Sequence, residues 1–243
     1  MRPLSARDLL KVWEAGEHRH PLDRALTILA AACPELSWDE LAALSVGQRD
    51  ARLLAVREQT SGPRLEGFVE CPLCAEELEF GVMVADLRAA EPSTREEAWE
   101  LRIWDLSLRF RLPDSLDLGA AAACPDPAAA RGLLARRCVL QASRDGKAVA
   151  PEELPASVVS TLGEQMVEHD PQAEVLLDLR CPVCEHRWEA LFDVASFLWE
   201  ELAAQAERLL REVHALAGAY GWSETEILGL NARRRRYYLE MAT

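Results

Sequence analysis

Two copies of the motif Cys-Pro-x-Cys supply the clearest chemistry in this sequence. Cys71 and Cys74 enclose Pro-Leu, and Cys181 and Cys184 enclose Pro-Val at a shift of 110 residues. A Cys-x-x-Cys turn spaces two thiolates so that both bind one metal ion, and a structural zinc site takes four such ligands in a tetrahedron. The sequence therefore predicts one Zn²⁺ ion held by Cys71, Cys74, Cys181 and Cys184.

Three other interpretations of the motif stay open from the sequence. A redox Cys-x-x-Cys needs a thiol of low pKa, usually at a helix N-terminus, whereas strand-like patterns follow both pairs here. A ribbon that has lost its metal is the second alternative. The third is that His186 replaces a ligand, although a solvated histidine is the expected role. Cys33, Cys124 and Cys138 stand singly in apolar or Ala-rich surroundings, which predicts buried, unreactive thiols.

Each cysteine pair is predicted to lie at the tip of a β-hairpin. Apolar and polar residues alternate before and after both pairs, over residues 65–82 and 173–192. The two copies align at the same shift, with Leu78 matching Trp188. Two similar hairpins that share one metal make a zinc ribbon. The long separation of the pairs predicts an insertion at about residues 85–171.

The insertion is expected to mix strands and helices. Residues 99–113 are predicted as one longer strand, and the Ala/Pro-rich residues 114–130 as a loop or a short helix. The segment from Ser143 to Lys147 carries the residues of a hairpin turn. A helix is predicted to begin at Pro155 and to run through Met166.

The two ends of the chain are helical in pattern. Ser5, Ser37, Ser45 and Ser223 each precede a helix with capping-box spacing. Leucines and alanines spaced by three and four residues predict a long amphipathic helix from Val194 to Gly221, with two short helices after it. We therefore predict an α+β protein with a helical region at 1–61, a zinc-ribbon domain at 62–193 and a helical arm at 194–243.

Composition limits the function. The chain has 243 residues and a formal net charge of -14, which argues against a nucleic-acid groove. No apolar run approaches the ~20 residues of a membrane span, and the N-terminus does not resemble a signal peptide, so a soluble, cytoplasmic protein is expected. The four arginines 233–236 suggest either an anionic partner or a solvated helix face with local carboxylate pairing.

No catalytic motif is recognisable, so a non-enzymatic protein is expected. The sequence lacks G-x-S-x-G, a phosphate-binding glycine loop and H-E-x-x-H. His18, His20 and the pair His169-Asp170 are interpreted as loop or surface residues. Four thiolates also leave zinc no open position for a substrate, which predicts a structural metal.

Several segments together resemble the T4-type baseplate hub assembly chaperone family of contractile phage tails and related contractile injection systems. The segments are D-L-L-K-V-W-E, P-L-D-R-A-L-T-I-L-A-A-A, C-P-L-C, C-P-V-C, D-P-Q-A-E, F-L-W-E-E-L, L-L-R-E-V-H-A-L-A-G-A-Y-G-W-S-E-T-E-I-L and R-R-R-R-Y-Y-L-E. They are spread over nearly the whole chain. Ala75 and Glu185 depart from the glycine that many such cysteine turns carry after the second Cys.

The resemblance implies a non-enzymatic assembly factor that binds baseplate or hub proteins. A permanent structural component of the baseplate is the alternative within this class. A zinc-ribbon regulator or adaptor is a further alternative, against which the acidic charge speaks. A dithiol oxidoreductase would be an enzyme of another class.

Overall fold

The computed structural model describes residues 1–89 and 98–242, and its mixture of helices and small antiparallel sheets confirms the predicted α+β class. The helices are α1 (Ala6–Gly16), α2 (Pro21–Ala32), α3 (Trp38–Ala42), α4 (Val46–Ser61), α5 (Val84–Leu87), α6 (Ser115–Ala122), α7 (Pro127–Cys138), α8 (Ala156–His169), α9 (Val194–Tyr220), α10 (Glu224–Gly229) and α11 (Ala232–Ala242). The strands are β1 (Arg64–Glu70), β2 (Glu77–Met83), β3 (Trp99–Ile103), β4 (Leu106–Phe110), β5 (Val139–Arg144), β6 (Lys147–Ala148), β7 (Leu176–Arg180) and β8 (Arg187–Leu191). Short 3₁₀ turns span Pro151–Glu153 and Pro171–Ala173.

The helices of both ends begin at the predicted caps. Ser5, Ser37, Ser45 and Ser223 each form a full capping box. In each box the serine oxygen accepts from the third helical N–H, and the side chain at that third position accepts from the N–H of the serine. Gly221 ends α9 in the left-handed conformation, with φ 68°. The sequence thus predicted these helix boundaries correctly.

The N-terminal helices and the long helix α9 share one hydrophobic core. Helix α9 packs along α1, α2 and α4. Arg57 of α4 donates from Nε and Nη2 to the two carboxylate oxygens of Glu201 on α9, at 3.0 and 2.9 Å. The helical region at 1–61 and the arm at 194–243 are therefore in direct contact, while the predicted domain boundaries remain a prediction.

The predicted insertion contains a second, smaller core. Strands β3, β4, β5 and β6 form an antiparallel sheet in that order. Leu106, Leu108 and Phe110 on β4 pack with buried side chains of α7 and α8, among them Cys138 and Leu162. The part of the insertion at residues 90–97 lies outside the described residues.

The prediction of one long strand over residues 99–113 is wrong. The segment is a hairpin in which Ile103 pairs with Leu106, so that Trp104 and Asp105 form a two-residue turn. Trp104 adopts φ 54°, a left-handed conformation that turns normally assign to Gly or Asn. Because tryptophan is not a usual residue at this turn position, the sequence showed only a slip in the alternation.

The other elements of the insertion follow the prediction more closely. Residues 114–130 contain α6 and the beginning of α7, which start after the capping residues Asp114 and Asp126. The turn between β5 and β6 is confirmed, with positive φ at Asp145 and Gly146. Helix α8 extends one turn beyond its predicted end at Met166.

Among the described helices, none combines the length and the apolar character that a bilayer crossing requires.

Candidate metal centre

Two hairpins of the same register carry the four motif cysteines. In the first hairpin Val69 lies opposite Leu78, and in the second Leu179 lies opposite Trp188. These positions correspond at the shift of 110 residues that relates the two motifs. The strands around each cysteine pair are therefore confirmed, and the two hairpins are structural repeats of one another.

The base of each hairpin is fixed in the main core. Phe192, just after β8, contacts Phe80 of β2 edge to face, with ring centroids 6.4 Å apart. It also contacts Phe197 of α9 at 5.0 Å. Within the described residues the hairpins form separate two-stranded sheets, without a backbone ladder between them. The tips can therefore be joined only through side chains.

The turn that holds the cysteines is built identically in both hairpins. The N–H of Cys71 donates to the carbonyl of Glu76 at 2.8 Å, and the N–H of Cys181 donates to the carbonyl of His186 at 2.9 Å. The residue after the second cysteine then turns back in the left-handed region, at φ 59° for Ala75 and φ 61° for Glu185. These are the two positions where many such turns carry glycine, so the turn forms here against the preference of the side chain.

The four sulfur atoms converge at the hairpin tips. Cys71 Sγ lies 3.6 Å from Cys184 Sγ, and Cys74 Sγ lies 3.6 Å from Cys181 Sγ. All four sulfurs lie within 4.8 Å of one another. A zinc ion bound tetrahedrally at about 2.3 Å from each sulfur would space the sulfurs about 3.8 Å apart. The arrangement fits a four-thiolate site for zinc, in which the protein supplies every ligand.

The electrostatics of the cluster favour a cation. Backbone N–H groups, first that of Cys184 and then that of Val183, lower the pKa of Cys181 to about 7 against the effect of burial. For Cys74 a backbone hydrogen bond near Glu76 acts in the same direction, but burial and the three neighbouring sulfurs outweigh it and raise the pKa to about 12. The pKa of Cys181 is thus lowered, whereas the pKa values of Cys74 and Cys184 are raised beside the neighbouring sulfurs. A divalent cation removes this conflict because it stabilises all four negative sulfurs together.

The other sequence interpretations of the site concern His186, a redox role of the cysteine pairs and the three single cysteines. The ring of His186 stacks on Trp188, with centroids 5.7 Å apart, and the carbonyl of His186 accepts from the N–H of Cys181. Among the described residues, the group of side chains that could hold a metal ion consists of the four cysteines. Both motif turns lead into strands, β2 and β8, and not into a helix N-terminus of the kind that activates redox cysteines. Cys33 and Cys138 are buried as predicted, whereas Cys124 is only half-buried.

Two sets of polar residues differ from their sequence interpretation. Asp170 lies in the connection after α8, as a loop residue would, but it is buried and its Oδ2 accepts from the N–H of Gly47 at 2.9 Å, so it is not a surface residue. Of the four arginines 233–236, Arg235 is buried and pairs with Glu212 at 2.7 Å. Both partners lie far away along the chain, and no local sequence signal indicates them.

A comparison with known protein families finds one family whose model matches most of the chain. The model of the family described as T4 bacteriophage base plate protein matches residues 5–199, which is most of the sequence. The chain belongs to this family. The matched range contains all four cysteines of the candidate metal centre and ends within α9. No curated protein and no solved structure gives a significant match.

Proposed function

We propose that this base plate family protein is a non-enzymatic assembly chaperone for the baseplate or hub of a contractile phage tail or related injection system. It binds other baseplate proteins through its helical surfaces and carries one structural Zn²⁺ ion on Cys71, Cys74, Cys181 and Cys184. The family match over residues 5–199 is the observation that carries the baseplate role. The resemblance of the segments from both ends of the chain to hub assembly chaperones supports the finer assignment.

The chemistry of the four-cysteine cluster supports a structural and not a catalytic metal. Four thiolates complete the tetrahedral coordination of zinc, so no position remains for a substrate or an activated water. The metal would supply folding free energy directly, because the site does not exist in the unfolded chain. The non-enzymatic assignment rests on this donor set and on the absence of catalytic motifs from the sequence.

The positions of the hairpins support a specific role for zinc. The N-terminal helices already pack on α9 through the main core, so the helices do not need the metal to find one another. One hairpin precedes the insertion in the chain and the other follows it. The metal would fix the tips of the two hairpins to each other. We infer that zinc makes the ribbon and the insertion rigid on a helical platform. A rigid surface loses less conformational entropy when a partner binds.

A comparison of assembly intermediates with mature particles tests the chaperone role. The full-length protein should co-purify with hub or baseplate proteins from cells that express the tail genes. It should be missing from purified particles, and its deletion should stop baseplate assembly. If deletion leaves assembly intact and no baseplate protein co-purifies, the proposal is wrong.

The same experiment separates a second candidate function. The description of the family, a base plate protein, favours a permanent structural component. Such a component would be recovered from purified particles at a fixed ratio to the other baseplate proteins. That result would keep the baseplate role and replace the chaperone role.

A further inference from the structure

A groove with a cavity volume of about 1200 Å³ is lined by the beginning of α1, the middle of α9, the end of α10 and helix α11. Its floor is apolar and contains Leu9, Leu209 and Leu228, which are buried. Pockets for small molecules usually measure about 300 to 1,000 Å³. The size of the groove and its lining by residues of several helices suit a chain segment better than a small ligand.

Helix α11, which forms one side of the groove, is held to the rest of the protein by polar contacts and by aromatic contacts of Tyr238. Its buried residue among those described is Arg235, which donates to Glu212 Oε2 at 2.7 Å and to the carbonyl of Leu230 at 2.6 Å. Farther along the helix, the hydroxyl of Tyr220 donates to the carbonyl of Tyr238 at 3.1 Å. The ring of Tyr238 also contacts the rings of Trp222 and Tyr220 edge to face, with centroids 4.8 and 5.8 Å apart. These contacts fix the position of α11 beside α9.

One face of α11 brings arginines to this groove. Arg233, Arg236, Tyr237 and Glu240 all line it, and their spacing of three and four residues places them on the same side of the helix. Arg234 does not line the groove. The two central arginines of the run thus differ from each other, because Arg235 anchors the helix and Arg234 points elsewhere.

The groove carries an excess of positive charge. Two of its carboxylates are already paired, Glu201 with Arg57 and Glu212 with Arg235. Arg208 on α9 faces α11 from the opposite wall. Among the described residues, Arg208, Arg233 and Arg236 form no ion pair, and Arg233 lies over the ring of Tyr237 at 5.9 Å. The groove thus contains three arginines besides the one that pairs with Glu212, and Glu240 is its third carboxylate, in a chain whose net charge is -14.

We propose that this groove binds a short acidic segment of a baseplate protein, with leucine-sized side chains on the floor and carboxylates on the arginines. The proposal rests on the proposed function, since it names the surface and the partner chemistry of that binding. Arginine binds carboxylates through two parallel hydrogen bonds, which gives orientation as well as affinity. The apolar floor favours an acidic protein segment with apolar side chains over nucleic acid, whose binding is dominated by phosphate contacts.

The position of the groove also indicates partner specificity. The family match ends at residue 199, so helix α11 and most of α9 lie beyond it. The groove is therefore formed mainly by a part of the chain that the family description does not cover. A segment outside the common family region is suited to recognise a partner that differs from one tail system to the next.

Overlapping peptides from the baseplate proteins of the same particle provide the probe. Binding to the full-length protein is measured by fluorescence anisotropy for the wild type, the double variant R233Q/R236Q and the single variant R208Q. The matched control is R234Q, which changes the same helix outside the groove and leaves Arg235 intact. We expect the bound peptides to be acidic with interspersed Leu, Ile or Phe, and their affinity to fall about tenfold in R233Q/R236Q. R208Q on the opposite wall should weaken the same peptides, and R234Q should leave them unchanged.

Several results would overturn the proposal. These are no bound peptide, bound peptides without an acidic bias, or an effect of R234Q equal to that of R233Q/R236Q. Competition by single-stranded oligo-dT at equal strength would assign the groove to nucleic acid instead. If R233Q/R236Q still co-purifies with baseplate proteins as the wild type does, the groove assignment fails while the proposed function stands. If the wild type co-purifies with none of them, the proposed function itself fails.

Discussion

Cys71 Sγ and Cys184 Sγ lie 3.6 Å apart although 113 residues separate them in the chain. Cys74 and Cys181 form the equivalent contact, also across the two hairpins. Each hairpin alone thus holds only half of the candidate site. Because an isolated two-stranded hairpin is marginal in water, the two halves depend on each other.

The protein should therefore bind one zinc ion per chain, and removal of this ion should destabilise the ribbon. In C71S or C181S, or after chelation, we expect the free energy of unfolding to fall by about 4 kcal/mol, the scale of closing a loop of this length. Native mass spectrometry measures the zinc, and urea unfolding measures the stability. C124S serves as the control, because Cys124 stands outside the cluster. A metal-free protein with the stability of the untreated protein would contradict a structural zinc.

The left-handed turn residues offer a stabilising substitution. Ala75 adopts φ 59° directly after Cys74, and a left-handed conformation costs an L-residue roughly 1–2 kcal/mol. Since glycine adopts it freely but loses more entropy on folding, Ala75→Gly should raise the stability of the zinc-bound protein by about 0.5 kcal/mol. Ala75→Val, which introduces a β-branched side chain, should lower the stability of the zinc-bound protein. Thermal unfolding of the three proteins at saturating zinc gives the order, and a less stable Ala75→Gly would show that the turn is unstrained.

Gly47 in the first turn of α4 is required by the close approach of Asp170. A Cβ atom at this position would lie 1.9 Å from Asp170 Oδ1, while the N–H of Gly47 donates to Asp170 Oδ2. Gly47→Ala should therefore displace the buried carboxylate and lower the free energy of unfolding by about 2 kcal/mol.

Gly163 provides the matched control for this substitution. It lies in α8, and a Cβ atom there meets nothing within 4 Å. Gly163→Ala should raise stability by up to about 1 kcal/mol, because alanine is the better helix former. Urea unfolding of both variants separates the two effects. Equal changes in the two variants would mean that the contact with Asp170 does not matter.

Local chemistry explains what the sequence predicted. Ser5, Ser37 and Ser223 form capping boxes with residues three positions away, and the alternation around each cysteine pair lies within a few residues of it. The convergence of the four cysteines was also predicted, because tetrahedral zinc chemistry joins two half-sites regardless of the distance between them. Their role as metal ligands remains a prediction.

Long-range geometry explains what the sequence did not predict. Asp170 reaches Gly47 across 123 residues, and Arg235 reaches Glu212 in another helix. A carboxylate or an arginine has the same sequence appearance whether it is solvated or buried with a partner. The hairpin at Trp104 was missed for a different reason, since this tryptophan has a left-handed turn conformation that bulky residues rarely adopt.

A buried ion-pair network should make the insertion acid-sensitive. Arg111 donates from both Nη atoms to Asp117, at 2.6 and 3.1 Å, and Arg137 Nε donates to it at 2.8 Å. Burial alone would raise the pKa of Asp117, but these hydrogen bonds and one from the N–H of Asp114 outweigh it and lower the pKa to about 2. Because the folded pKa lies below the unfolded value, the stabilisation is present above about pH 4 and is lost as the pH falls towards 2.

The variant D117N tests this network and the sign of its pH dependence. At neutral pH it removes the buried charge that both Arg111 and Arg137 bind, and it should lower the free energy of unfolding by about 3 kcal/mol. Urea unfolding followed from neutral to acidic pH should show this deficit shrinking below about pH 4, since the wild type then loses the same charge. The control D105N removes an exposed partner of Arg144 in the same sheet and should cost less than about 1 kcal/mol. A deficit of D117N that stays constant or grows in acid would rule out the charged network as the source of stability.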